Sequence, residues 1–380
     1  WRMVSRGNTE MYLLDLESGT EHLLTPHVGI ALANQAEFVD EDTLLISTNI
    51  DREFVALARV DIDANGVPGP IDYIAGRDGV ELATFEILAN GTIALVWNAA
   101  GRSEMQYLDL TNGAVSQGPE LPAEIVFGME ASPDGTKLAM TISGSAAPSN
   151  VWSLDTASGQ FTRISDSRHE GVDLATLVRP ELRTYTAHDG LELSGWYYQA
   201  PDVEQAGRMV LSFHGGPEGQ SRPTFRSTYQ ALLANGISVF APNVRGSSGF
   251  GKTFVNLDNG ALRFDGVKDI EATYNYVVKA GLADPERVGI AGGSYGGYMV
   301  MAGLTEYPDM FAAGANLFGV VNFETFFANT EPWMAAISTV EYGDPVKDKE
   351  LLEQLSPIHK VDRVTAPTSR MSRSAAPSPS

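Results

Sequence analysis

A serine set among glycines, Gly292-Gly293-Ser294-Tyr295-Gly296-Gly297, is the stretch whose residue types and spacing point most directly to chemistry. A serine hydroxyl can attack a carbonyl carbon if three conditions hold: a base takes its proton, an acid orients that base, and N–H donors meet the oxyanion. The apolar run Arg287-Val288-Gly289-Ile290-Ala291 before it reads as a strand. The following Tyr298-Met299-Val300-Met301-Ala302-Gly303-Leu304 reads as helix. Strand, Gly-x-Ser-x-Gly, helix is the context of a nucleophile elbow, and it favours that reading over a glycine-rich turn with an incidental serine. Glycines are needed there because so abrupt a turn forces strained angles and close packing that side chains would block. At the helix N-terminus the serine oxygen also meets free N–H groups and the positive end of the dipole. In such an elbow one oxyanion donor is the amide after the nucleophile, here Tyr295, and the other comes from a glycine loop after an earlier strand. His214-Gly215-Gly216-Pro217 closes such a strand, Met209-Val210-Leu211-Ser212-Phe213.

The elements that must position these groups alternate from about residue 181 onward. Residues 182–187 and 191–199 flank an Asp189-Gly190 turn and form a hairpin. Residues 209–213 and 237–241 read as strands, with a helix at 229–234 between them, closed by Asn235-Gly236. A long loop, Asn243-Val244-Arg245-Gly246-Ser247-Ser248-Gly249-Phe250-Gly251, follows. Asp269 is placed to cap a helix through Tyr274, Val277 and Val278. After the elbow come a strand at 312–318 and helical segments near 323–328 and 351–355. This alternation predicts a mostly parallel sheet with helices on both faces. A further strand should begin at Ala366-Pro367-Thr368, but residues 369–380, rich in Ser, Pro and Arg, read as a disordered tail.

Residues 1–165 follow a different pattern, an internal repeat. Asp-x-x-Ser/Asn-Gly recurs as Asp15 to Gly19, Asp109 to Gly113 and Asp155 to Gly159, with a longer version from Asp61 to Gly66. The aspartates are spaced by 46, 48 and 46 residues. A second marker, a polar turn followed by Thr, falls at Asp42-Thr43, Asn90-Gly91-Thr92 and Asp134-Gly135-Thr136, leading its aspartate by 18, 17 or 19 residues. Ile93, Leu95 and Trp97 share one face by period two, as do Leu138, Met140 and Ile142, which means antiparallel hairpins. Units of about 45 residues built from short strands are propeller blades, here three and a partial one. Residues 166–180 lose the period and read as a linker.

With 43% apolar residues, the chain can bury substantial cores. Its formal charge of −22 argues against nucleic-acid binding and reads as a soluble, self-repelling surface. There are no cysteines, so thiol chemistry, disulfides and cysteine-ligated metals are excluded, and the residues call for no cofactor or metal. No apolar run approaches the length of a membrane span. The compartment stays open between cytoplasm and export.

Repeats followed by His-Gly-Gly-Pro, Arg-Gly-Ser-x-Gly-x-Gly, Gly-Gly-Ser-Tyr-Gly-Gly and Ser-Pro-Ile-His-Lys-Val together resemble the prolyl oligopeptidase family of serine peptidases. Within it, the acylaminoacyl-peptidase and dipeptidyl-peptidase-like branch is the closer likeness. The resemblance covers nearly all of the chain up to Thr368. It implies a multidomain β and α/β architecture: a partial N-terminal β-propeller (1–165), a linker (166–180) and an incomplete α/β-hydrolase domain (181–368). It also implies Ser294 as nucleophile, an oxyanion hole from the amides of Tyr295 and Gly216, and a propeller that limits the substrate to short peptides. His214, Gly215 and Arg245 would be loop residues near the substrate, although Arg245 reads equally well as a structural arginine.

The likeness stops short of the acid and base. The only histidine after Ser294 is His359, which in the family pattern is structural. The family would continue past Thr368 with His-Gly-x-x-Asp and a later Gly-His, neither of which is here. The expectation is therefore a chain truncated at both ends, through a shifted reading frame or a gene fragment, and itself inactive for want of the triad Asp and His. The strand at 312–318 would lose its outer neighbour, and the protein would be poorly soluble or molten. A serine esterase and a non-catalytic, peptide-binding propeller protein remain the alternatives. No adjacent Glu-Glu pair is present to hold a free peptide N-terminus.

Overall fold

The computed structural model describes residues 1–88, 91–203 and 206–371. Asn90 of the expected Asn-Gly turn and residues 372–380 of the expected tail lie outside them. Two compact units emerge: residues 1–177 with 222–226 and 248–255, and the remainder from residue 178 onward.

The first unit is built of small antiparallel sheets. β1 (Arg2–Ser5) pairs with β2 (Asn8–Glu10), and β3 (Tyr12–Leu14) with β4 (Glu21–Leu23). A four-stranded sheet follows, β5 (Ala33–Phe38), β6 (Thr43–Thr48), β7 (Ala56–Asp61) and β8 (Asp72–Ala75). The next has β9 (Glu81–Ile87), β10 (Thr92–Ala99), β11 (Arg102–Asp109) and β12 (Val115–Gln117). The last has β13 (Ile125–Ala131), β14 (Lys137–Gly144), β15 (Ala147–Asp155) and β16 (Phe161–Arg163). These are three propeller blades and a smaller leading one.

The fixed offset between the two sequence markers has a simple cause. Thr43 faces Asp61 and Thr92 faces Asp109 across a hairpin, and Lys137, next to Thr136, faces Asp155. Each marker aspartate opens the next turn, where the carbonyls of Asp15, Asp109 and Asp155 accept the N–H of Gly19, Gly113 and Gly159 at 2.8–2.9 Å. Those glycines have φ of 70–72°, which side chains resist. Period two is only part of the pattern in β10, which is buried from Ile93 through Asn98. Ile93, Leu95 and Trp97 join one core cluster with Phe85 of their own sheet and Leu45 and Leu57 of the sheet before. Ala94 and Val96 join another with Leu138, Met140 and Ile142 of the sheet after. Blade-on-blade packing buries both faces of a middle strand, so the strand reads as apolar throughout.

Three glutamates, Glu37, Glu86 and Glu130, lie near the ends of the first strands of these sheets, β5, β9 and β13. Burial, then the charge of Glu37, pushes Glu86 up to about 7, although it accepts a hydrogen bond from the Ala131 amide at 3.1 Å. A raised carboxyl pKa means that the folded state holds the proton more tightly than the unfolded state. The stability it contributes is complete below its ordinary value of 4.5 and is lost as pH rises through about 7. Glu86→Gln keeps an acceptor for Ala131 and removes the charge. We expect it to stabilise this unit at pH 8 by on the order of 1 kcal/mol, after discounting for solvent at a half-buried site, with little gain at pH 5. Thermal melts at the two pH values check this, and equal gains at both would count against it.

The second unit is a seven-stranded sheet in the order β17-β18-β20-β19-β21-β22-β23. β17 (Glu181–Thr186) and β18 (Glu192–Tyr198) form the expected hairpin, with Gly190 at φ 90° in its turn. β18 lies antiparallel to β20 (Ile237–Asn243). β20, β19 (Gly207–Phe213), β21 (Ala283–Gly293), β22 (Ala313–Leu317) and β23 (Thr368–Met371) run parallel. The helices are α1 (Ser227–Ala234), α2 (Lys252–Val255), α3 (Arg263–Lys279), α4 (Tyr295–Glu306), α5 (Phe323–Asn329), α6 (Pro332–Tyr342) and α7 (Lys349–Leu355). α2 lies in the 248–255 segment of the first unit. This sheet order and its crossovers are those of an α/β-hydrolase.

Three expectations are corrected here. Asp269 does not cap a helix: α3 begins six residues earlier, and Asp269 lies inside it, fully buried, as an ion-pair partner. The strand at 312–318 keeps an outer neighbour, because Gly314 to Leu317 pair in parallel with Thr368 to Met371. Residues 369–371 thus belong to the sheet rather than to a disordered tail, and the reason given for a molten protein falls away. α6 was not foreseen. Pro332 opens it, and its Trp-Met-Ala-Ala-Ile run gives no clean amphipathic period.

Candidate active site

The elbow is present as geometry. β21 ends at Gly293, and α4 begins at Tyr295. Ser294 between them has φ 55° and ψ −119°, a strained conformation for a residue with a side chain. Two hydrogen bonds hold it there: its N–H donates to the Leu317 carbonyl at 2.9 Å, and its own carbonyl accepts from the Tyr298 N–H at 3.1 Å. α4 is buried almost all round, including Tyr298, Met299, Val300 and Leu304, so it is a core helix with the serine at its exposed N-terminal end.

The surrounding glycines are spacers. A Cβ on Gly296 would lie 2.2 Å from the Phe213 carbonyl oxygen, and one on Gly292 would lie 2.3 Å from the Gly296 oxygen. A Cβ on Gly215 would approach the Gly293 oxygen at 3.2 Å and the Ser294 Cβ at 3.4 Å. The His-Gly-Gly loop therefore runs directly against the elbow. Gly216 has φ 139°. His214 is turned to other partners, with Nε2 2.9 Å from the Ser247 hydroxyl and Nδ1 2.9 Å from the Gly215 carbonyl oxygen. Tyr295, as the first residue of α4, has an N–H with no acceptor one turn back.

Arg245 is held in buried ion pairs. It is 3% exposed, and its guanidinium meets Asp269 at 2.9 Å and Asp189 at 2.9 and 3.0 Å. It ties the hairpin turn to α3. Burial works against its charge, but the two carboxylates more than offset this and hold its pKa above the usual value. His359 is exposed on a turn of 3-10 helix spanning Pro357–Arg363. His188 lies 3.3 Å from Asp265. Among the described residues, no histidine or carboxylate hydrogen-bonds the Ser294 hydroxyl.

Sequence reasoning missed what lies behind the elbow. The Tyr295 hydroxyl donates to Asp258 Oδ2 at 3.0 Å. Arg263 Nη1 meets the same oxygen at 3.0 Å, and Arg263 Nη2 donates to the Glu341 carbonyl at 3.0 Å and bonds its carboxylate. All of these side chains are buried. Burial, opposed by Arg263, pushes Asp258 up to about 6. Burial and the Asp258 charge raise Glu341 well above the carboxylate range. Arg263 falls on the buried face of α3 with Val267, Ile270 and Val277, but nothing in that run names its carboxylate partners. Gly246, in the Arg-Gly-Ser motif, was the one available signal, because its Cβ would lie 2.4 Å from the Asp258 carboxylate.

Propeller blades in one unit and an α/β-hydrolase sheet with its elbow in the other define the class: a two-unit serine hydrolase fold. Comparison with known proteins narrows it. Residues 223–373 match the prolyl oligopeptidase family. The dipeptidyl aminopeptidase BIII of Pseudoxanthomonas mexicana is 35% identical over 42% of this chain and 24% of its own length. An acylamino-acid-releasing enzyme of Arabidopsis thaliana is 29% identical over 42% of the chain and 22% of its own. Among solved structures, a puromycin-hydrolyzing peptidase of Mycobacterium tuberculosis superposes with a TM-score of 0.85 at 21% identity, over 97% of this chain and 58% of that one. A puromycin hydrolase does so with 0.81 at 25%, over 93% and 55%. The chain thus spans about a quarter of the length of these curated relatives and somewhat over half of the structural ones. Both structures extend the likeness across the propeller as well as the sheet.

Proposed function

We propose that this chain is the propeller and nucleophile portion of a serine peptidase acting on short peptides, with Ser294 as nucleophile. In this reading 1–165 is the propeller, 166–180 a linker and 181–368 the hydrolase domain. The Ser294 oxygen bonds to the scissile carbonyl carbon, its proton passes to a base, and the amides of Tyr295 and Gly216 receive the oxyanion. The proton then goes to the leaving amine as the C–N bond breaks, and water releases the acyl group. The observation that carries this is Ser294 itself, exposed and held at positive φ between the central strand and a buried helix, against the His-Gly-Gly loop. The family resemblance puts the acid and base C-terminal to Thr368. Peptide substrates follow from the propeller and from relatives named for removing dipeptides or acylamino acids.

The bare Ser294 hydroxyl favours a second reading, in which this portion binds peptides without turning them over. A fluorophosphonate probe followed by peptide mapping separates the two. An adduct on Ser294 in the folded protein, absent from Ser294→Ala, means that a base reaches the hydroxyl and supports the first reading. Folded protein that takes no adduct would leave binding alone.

A further inference from the structure

The cluster behind the elbow has a geometry that a purely structural ion pair does not require. Tyr295 supplies two groups at once. Its amide is the oxyanion donor of the reading above, on which this inference rests, and its phenol points back into the core, where Asp258 accepts from it at 3.0 Å. Asp258 is itself fixed by Arg263 at 3.0 Å, and the guanidinium lies 5.0 Å from the Tyr295 ring centre. The other face of Arg263 is taken by Glu341 and the Tyr342 ring at 4.7 Å. Space for the contact comes from Gly246, on which a Cβ would lie 2.4 Å from the Asp258 carboxylate.

We propose that the Tyr295 phenol–Asp258 hydrogen bond is a positioning device that fixes the first turn of α4, and with it the Tyr295 amide, at the oxyanion hole. Ser294 and Tyr295 are adjacent, and Ser294 is held in a strained conformation that relaxation of the following residue would release. A tether on the Tyr295 side chain resists rotation of that peptide group, whose N–H is aimed at charge that develops only during reaction. Asp258 and the phenol touch no substrate; they act through the amide.

Three variants test it. Tyr295→Phe deletes only the hydroxyl. Asp258→Asn keeps an oxygen to accept it, whereas Asp258→Ala does not. The rate of fluorophosphonate labelling at Ser294, resolved into a binding constant and a maximal rate, is the first readout. Tyr295→Phe and Asp258→Ala are expected to lower the maximal rate by about 10- to 100-fold, the scale of a displaced oxyanion donor, with the binding constant unchanged. Asp258→Asn is expected to restore it to within about threefold. The second readout is hydrogen exchange of the amides of residues 294–298, expected to quicken about tenfold in Tyr295→Phe and not in Asp258→Asn. Wild-type protein that takes no label sinks Ser294 as nucleophile, and the tether is then judged on exchange alone. Wild-type labelling and exchange in Tyr295→Phe overturn the tether. So does Asp258→Asn behaving as Asp258→Ala, because that assigns the effect to the buried charge instead of the hydrogen bond.

Discussion

Gly296→Ala is expected to destabilise the second unit by about 3 kcal/mol and to abolish any reactivity of Ser294, although alanine is the better helix former. On propensity alone, replacing a helical glycine gains up to about 1 kcal/mol. The local geometry reverses the sign. The new methyl would stand 2.2 Å from the Phe213 carbonyl oxygen, 2.8 Å from that of His214 and 2.9 Å from the Phe213 carbonyl carbon. All three are main-chain atoms at the end of β19, which is hydrogen-bonded to β20 on one side and β21 on the other. No rotamer can yield, so α4 must lift from the sheet or β19 must leave its ladder. Overpacking of this kind costs about 3 kcal/mol, and more where backbone has to move. The displaced His214-Gly215 loop is also the one beside Ser294, so reactivity is lost even in molecules that stay folded. Gly289→Ala is the matched control. It lies in the strand that feeds the elbow, and its nearest atom, the Ala313 oxygen, would be 3.5 Å away, an ordinary contact. Denaturation of the two variants should differ by about 3 kcal/mol, and a Gly296→Ala protein as stable as Gly289→Ala would mean that the elbow is not packed as described.

Most of the architecture was legible because short-range patterns produce it. The blade repeat was readable from an Asp and a Thr that turn out to face each other across a hairpin, a pairing local enough to leave a fixed spacing. The elbow was readable because three of its glycines, Gly292, Gly296 and Gly297, each answer a main-chain contact too close for a side chain. What stayed hidden depends on long-range pairing. Asp269 has the residue type of a helix cap, but three-dimensional pairing with Arg245 drew it into the interior of a helix that starts earlier. β23 was passed over because Ser369 and Arg370 are poor strand formers. The ladder to β22 supplies what propensity does not. Arg263, Asp258 and Glu341 are spread over 84 positions, and nothing in the run around any of them signals the others.

That same triad carries the second large expected effect. Arg263→Met, close to isosteric, should destabilise the second unit by about 3–5 kcal/mol, the cost of removing one partner from a buried ion pair. The loss should depend on pH in a definite direction. With the guanidinium gone, Asp258 and Glu341 remain buried, each raising the other, and Glu218 adds a third negative charge to both. Carboxyls whose folded pKa is raised bind protons more tightly in the folded state than in the unfolded one. They favour folding below their ordinary values, and that contribution is lost as pH climbs through the raised ones. Asp258 already stands at about 6 with Arg263 in place, so the window extends upward from there in the variant. The deficit should therefore be smallest near pH 5 and grow toward pH 8, whereas loss of a purely packing contact would be flat. Arg263→Lys should fall between, since an ammonium restores the charge but cannot reach Asp258 and Glu341 with a planar fork while lying between the Tyr295 and Tyr342 rings. Urea unfolding of the three proteins at pH 5, 6.5 and 8 decides the matter. A deficit independent of pH would show that Arg263 stabilises the fold by filling space and not by neutralising the carboxylates behind the nucleophile.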